Sequence, residues 1–145
     1  MNVFIVGSPL ETAMAMEADT KRYNKQIVEV KQMLAAIDGQ TKAWKNHPCT
    51  LQYEKHVIWL QLYMDCFIAY RANNLKEAEM CSDAADCIRP HFHDKEFYEQ
   101  MMRRLFTKSP VLYAQWSHLG ESDCNWYWSP REQKIIKYVN GKRQD

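Results

Sequence analysis

Apolar residues recur every three or four positions along several stretches of the chain, and each stretch stops at residues that end helices. Tyr23, Ile27, Val30, Leu34 and Ile37 share one helical face, and the pattern halts at Asp38-Gly39. This spacing predicts a helix of about 18 residues starting near Asp19 or Thr20. Its polar face carries Arg22, Lys25, Gln26 and Glu29, which point the same way because residues three, four or seven apart align on a helix. A second stripe, Val57, Leu60, Met64, Phe67 and Ile68, predicts a long helix from roughly Thr50 to Ala72, ended by Asn73-Asn74. Shorter amphipathic helices follow near Leu75 to Ile88, stopped by Arg89-Pro90, and near Lys95 to Phe106, stopped by Ser109-Pro110.

The remaining segments break that period. Val3-Phe4-Ile5-Val6 reads as a short strand or an extended arm, after which Ser8 can cap a helix, Pro9 suits its first position and Glu11 completes a capping box. Gln40 to Pro48 is a polar loop in which Pro48 biases His47 away from helical geometry. Beyond Gly120 the chain turns aromatic and basic, with Trp126-Tyr127-Trp128, then Lys134 to Tyr138, then Asn140-Gly141, a hairpin turn or extended segment. No repeat or linker is visible. The expected fold is mainly α: a single compact helical domain over residues 1–145, with a short extended N-terminal arm and an aromatic, partly extended C-terminal tail.

Composition agrees with a packed domain. The chain has 145 residues, of which 46% are hydrophobic and 12% aromatic, too rich in apolar side chains for a disordered segment. The stretch from Val57 to Tyr70 is interrupted by Gln61 and Asp65 and is too short for a membrane span, which needs about 20 apolar residues. The N-terminus lacks a positive start and meets Gly7-Ser8-Pro9 before an apolar signal core forms, so a cytoplasmic location is expected. Five scattered cysteines, Cys49, Cys66, Cys81, Cys87 and Cys124, suit reduced, buried thiols. His91 and His93 follow Pro90 with no paired cysteine spacing nearby, and neither a phosphate-binding glycine loop nor a nucleophile elbow is present. Neither a metal nor a cofactor is expected.

Net charge is only +1, but it is unevenly spread. Residues 1–19 carry three acids and no base, residues 20–48 six bases and two acids, residues 49–100 five bases and nine acids, and residues 101–145 eight bases and four acids. If folding joins the two basic blocks, one positive face suffices to track phosphates. Two ordinary solvated segments would read the same way.

Two stretches carry a more specific pattern. The first runs from Glu29 to Pro48: a glutamate about three turns before the helix ends, then Gly39-Gln40-Thr41-Lys42-Ala43-Trp44-Lys45-Asn46-His47-Pro48. The second is Arg104-Leu105-Phe106-Thr107-Lys108-Ser109-Pro110-Val111-Leu112-Tyr113. Together they resemble the pyrimidine-dimer DNA glycosylases of phages and bacteria, over less than a third of the chain. One departure is Val28, where the family often has arginine.

The resemblance implies a mostly helical repair enzyme that needs neither metal nor cofactor. It acts on double-stranded DNA, excising a damaged pyrimidine and nicking the abasic strand through an imine on its N-terminal amine. Met1 would supply that amine, because Asn2 is larger than the side chains that permit removal of an initiator methionine. An α-amine titrates near ~7.7–8.0 and a free lysine near ~10.4, so the former is the better nucleophile at neutral pH. Glu29 would stabilise the cationic sugar and move protons. Arg22, Lys25, Lys45, Arg104 and Lys108 would contact phosphates. His47 would assist base flipping, and Trp126 and Tyr127 would stack on or wedge into the distorted duplex.

Taken without the resemblance, each of these has a plainer explanation. Glu29 reads as an exposed helix glutamate, Arg104 and Lys108 as a basic helix end stabilised by the dipole, Trp126 and Tyr127 as partial core, and His47 as structural. The competing function is a noncatalytic nucleic-acid or nucleotide-binding protein on the same fold. A third class, a protein-interaction module, would use the acidic central helices.

Overall fold

The computed structural model describes residues 1–145. Its first element is the extended arm, with no strand partner; Val3, Phe4, Ile5 and Val6 are all buried. Ser8 and Glu11 form the expected capping box and start helix α1, Pro9–Met16. Helix α2, Thr20–Ile37, follows the apolar period. It closes with Gly39 at φ 81°, where Gln40 N–H donates to Ala35 O at 2.9 Å and Gly39 N–H to Ala36 O at 3.2 Å. This is the glycine-dependent helix stop that satisfies the last carbonyls.

The single long helix expected over Thr50 to Ala72 is two helices. Helix α3 is Pro48–Tyr53, with Pro48 already at its first position, and helix α4 is Val57–Arg71. Between them Glu54, Lys55 and His56 turn, and His56 N–H donates to Tyr53 O at 2.8 Å. The turn brings the Tyr53 and Trp59 rings into a near-parallel stack at 5.2 Å, and both are fully buried. A straight helix would hold residues six apart on different faces. Helices α5, Leu75–Cys87, and α6, Lys95–Lys108, then follow, with α6 capped by Asp94. A short 3-10 segment spans Ala114–Leu119.

The tail is a sheet. Strands β1 (Cys124–Ser129), β2 (Lys134–Val139) and β3 (Lys142–Gln144) pair antiparallel in the order β1-β2-β3, so the architecture is mainly α with a small β-meander at the C-terminal end. Trp126 pairs with Lys137 and Tyr127 with Ile136. One core runs from the arm through α2, α4 and α6 to Tyr127. No helix is long and apolar enough to cross a membrane.

The core also holds a histidine. His93 is 2% exposed, and its Nε2 lies 2.7 Å from the Tyr53 hydroxyl.

Candidate functional site

Part of the polar surface of α2, on the flank of its apolar stripe, is not open to water. Gln26 is 2% exposed and Glu29 8%, because the N-terminal arm lies across them. Gln26 serves the arm as a neighbouring strand would: its Oε1 accepts from Phe4 N–H at 2.9 Å and its Nε2 donates to Asn2 O at 2.9 Å. The Tyr63 hydroxyl of α4 donates to Phe4 O at 2.6 Å, and Val6 N–H donates to Thr12 Oγ1 at 3.1 Å. From β1, the Tyr127 hydroxyl donates to Met1 O at 2.8 Å, and Asn2 Nδ2 donates to Asn125 Oδ1 at 3.3 Å. Backbone groups left unpaired by the missing strand partner are thus satisfied by side chains from four elements. The arm is fixed up to its first residue.

Glu29 sits at the end of this clamp. Its Oε2 accepts from Asn2 N–H at 3.3 Å, and its Oε1 lies 3.7 Å from Lys25 Nζ, one helical turn back. The carboxylate is therefore held one residue away from the terminal amine.

Around Met1 and Glu29 a cavity of about 90 Å³ collects Arg22, Lys25, Arg104 and Lys108. Two of these cations come from the first basic block and two from the second, so folding does bring the blocks together. Asn2, Phe4, Gln26 and Asn125 complete the wall. Arg104 is held by its Nε donating to Asn125 Oδ1 at 2.9 Å and its Nη1 to Ser122 O at 2.9 Å. Arg22 pairs with Asp19 and also reaches Ser109 Oγ at 3.2 Å, tying α2 to the end of α6. Burial, together with the charges of Arg104, Arg22 and Lys25, pushes the Lys108 ammonium down from its ordinary value, while Glu29 opposes the shift. Such a crowd of cations is stabilised by any anion that enters.

Size does not single this site out. A larger cavity of about 830 Å³, lined in part by His91, Lys95, Tyr98 and Trp116, lies against the opposite face of α6. The chemistry does: Met1, the Glu29 carboxylate and four cations line this one cavity.

The other residues singled out from sequence lie outside this cavity. Tyr127 is 4% exposed, so its ring has no face free for a base, a placement at odds with a stacking role; it positions Met1 instead. Trp126 is half-buried with the Lys137 ammonium 4.9 Å above its ring. Lys45 is exposed on the turn after α2. His47 caps α3, with Nδ1 accepting from Cys49 N–H at 3.1 Å, and meets Tyr127 edge to face at 5.8 Å. Burial, then the positive charge of the nearby terminus, lowers its pKa. Gln26, Asn2, Asn125 and Tyr63 belong to the site and have no motif of their own; only Gln26, one turn before Glu29, had a position that hinted at it.

Compared with known proteins, residues 1–70 match the family model described as pyrimidine dimer DNA glycosylase. The match contains Glu29 through Pro48 and ends before Arg104 to Tyr113. No curated protein and no solved structure matches the chain significantly.

Proposed function

Residues 1–70 carry the pattern of the pyrimidine dimer DNA glycosylase family, and on that premise we propose that this chain excises a damaged pyrimidine from double-stranded DNA and cuts the abasic strand with one site. The observation that carries the proposal is the convergence of Met1, Glu29, Arg22, Lys25, Arg104 and Lys108 on one cavity.

The unprotonated Met1 amine attacks C1′ of the damaged nucleotide, the bond from C1′ to the base nitrogen breaks, and the base leaves with that electron pair and takes up a proton. Opening of the sugar ring and loss of a proton from nitrogen give an imine between Met1 and C1′. Glu29 stabilises the cationic stages and accepts a proton from C2′; the electrons left behind expel the 3′ phosphate by β-elimination. Water then hydrolyses the imine and frees the amine. Arg22, Lys25, Arg104 and Lys108 hold phosphates on either side, and Lys45 extends that track. Gln26, Tyr63 and Tyr127 fix the nucleophile, the preorganisation that converts a weak encounter into an oriented attack.

Glu29→Gln tests the assignment. The variant keeps an acceptor for Asn2 N–H and removes the charge, so affinity for dimer-bearing duplex should stay within about threefold while incision falls on the order of 100-fold or more, the range of a lost general base. Equal incision by the variant would return Glu29 to the structural residues. Retained lesion binding with no incision by the wild type would favour the noncatalytic DNA-binding reading.

A further inference from the structure

Trp44 holds a backbone conformation that bulky residues rarely adopt, with φ at 65°. Three local hydrogen bonds keep it there: Ala43 N–H to Thr41 Oγ1 at 3.1 Å, Lys45 N–H to Lys42 O at 3.4 Å, and His47 N–H to Trp44 O at 3.1 Å. Left-handed backbone at a non-glycine residue is strained, and such strain collects at functional positions. Burial of the indole would be the ordinary compensation, yet Trp44 is 43% exposed.

The exposed ring is not isolated. It meets His47 edge to face at 5.6 Å, His47 meets Tyr127 at 5.8 Å, and the Tyr127 hydroxyl donates to Met1 O. A line of three rings therefore leads from the first residue of the chain to an indole at the surface. Lys42 and Lys45 share the segment between α2 and α3 with Trp44 and are exposed.

We propose that Trp44 is a stacking platform for an unpaired nucleobase of the bound DNA. This rests on the reading of the chain as a DNA repair enzyme and adds a binding site that the cavity at Met1 does not contain. A base displaced from the helix has lost its stacking neighbours and offers a bare π face, which an aromatic side chain can cover whatever the base identity. Lys42 and Lys45 supply charge for the phosphates beside it. An undamaged duplex keeps its bases stacked and has none to offer, so Trp44 contributes to lesion preference, unlike the phosphate contacts.

The test uses the full-length protein and two duplexes, one with a tetrahydrofuran abasic analogue, which lacks the C1′ oxygen and cannot open to an imine, and one undamaged. Trp44→Ala should lose roughly five- to 150-fold in affinity for the analogue duplex, the span that base–aromatic stacking carries, and little for the undamaged one. Trp44→Phe should recover most of the loss. Trp44→Gly, which relieves the backbone, should bind like Trp44→Ala and melt at or above the wild-type temperature. Equal losses on both duplexes, no loss, no recovery with phenylalanine, or a lower melting temperature for Trp44→Gly each overturn the platform. A wild-type protein without preference for the analogue duplex removes the repair reading along with it; a preference that survives Trp44→Ala removes only the platform.

Discussion

Replacing Gln26 with leucine cuts two of the three hydrogen bonds that hold the arm against α2. Phe4 N–H loses an acceptor at 2.9 Å and Asn2 O loses a donor at 2.9 Å, and both residues are buried, at 4% and 7% exposure. Tyr63 also reaches Gln26 Oε1 at 3.0 Å, but it keeps its shorter bond to Phe4 O at 2.6 Å. Leucine nearly matches the volume, so the cavity cost is small and the two orphaned backbone groups dominate. Each costs about 1–3 kcal/mol, which places the loss for Gln26→Leu at roughly 2–6 kcal/mol. At about 2–4 °C per kcal/mol, the melting temperature should fall by roughly 4–24 °C. Urea unfolding followed by circular dichroism gives the first number. Incision of an abasic duplex, at a temperature where wild type and variant are both folded, gives the second readout. Incision should fall by more than the folded fraction does, because Met1 hangs on the arm that Gln26 secures. A stability loss below about 1 kcal/mol, or incision that tracks the folded fraction alone, would refute the clamp.

Two further outcomes follow from charge. Burial first, then the charges of His56, Arg89 and His91, push the His93 imidazole down to about 3; the unfolded chain binds that proton near pH ~6.5, so the stability His93 contributes is complete above about pH 6.5 and is lost as pH falls toward 3. The slope is about 1.4 kcal/mol per pH unit, roughly 2 kcal/mol by pH 5, and His93→Gln should flatten that part of the wild-type curve in paired urea titrations at pH 7.5 and pH 5. An unchanged difference between the two pH values would remove His93 from the acid response. Separately, Arg104→Gln with Lys108→Gln should flatten the slope of log affinity against log salt by about 1.8, at about 0.9 for each phosphate released, with lesion preference intact; an unaltered slope would place both residues off the DNA surface.

Local signals in the sequence were enough for much of the fold. The capping box at Ser8 and Glu11, the period from Tyr23 to Ile37 and its end at Gly39 each depend on residues within a few positions of one another. The turn at Glu54 to His56 carries no glycine or proline, and the apolar spacing continues across it; only the stacking of Tyr53 on Trp59 reveals why the chain bends. The tail was legible as extended, with a hairpin turn offered at Asn140-Gly141 where β2 does turn into β3, but not as a three-stranded sheet, because the pairing of Trp126 with Lys137 is a register that neither segment specifies alone. At the site, Glu29 and the four cations were found through a resemblance and a charge count, whereas their juxtaposition depends on Asn125 and Ser122 steering Arg104. The burial of Gln26 and Glu29 could not be read from α2, since the arm that covers them comes from residues more than twenty positions away. The same holds for Tyr127, whose consecutive aromatic neighbours suggested a surface for bases while its hydroxyl is spent on Met1.

The most direct test of the central claim is to mix the protein with an abasic-site duplex under borohydride and map the trapped adduct by peptide mass. The adduct should lie on the peptide beginning at Met1 and should vanish when that amine is acetylated or residues are added before it. An adduct on Lys108, whose ammonium burial and neighbouring cations push down, or strand cleavage with no adduct at all, would contradict the N-terminal amine as nucleophile.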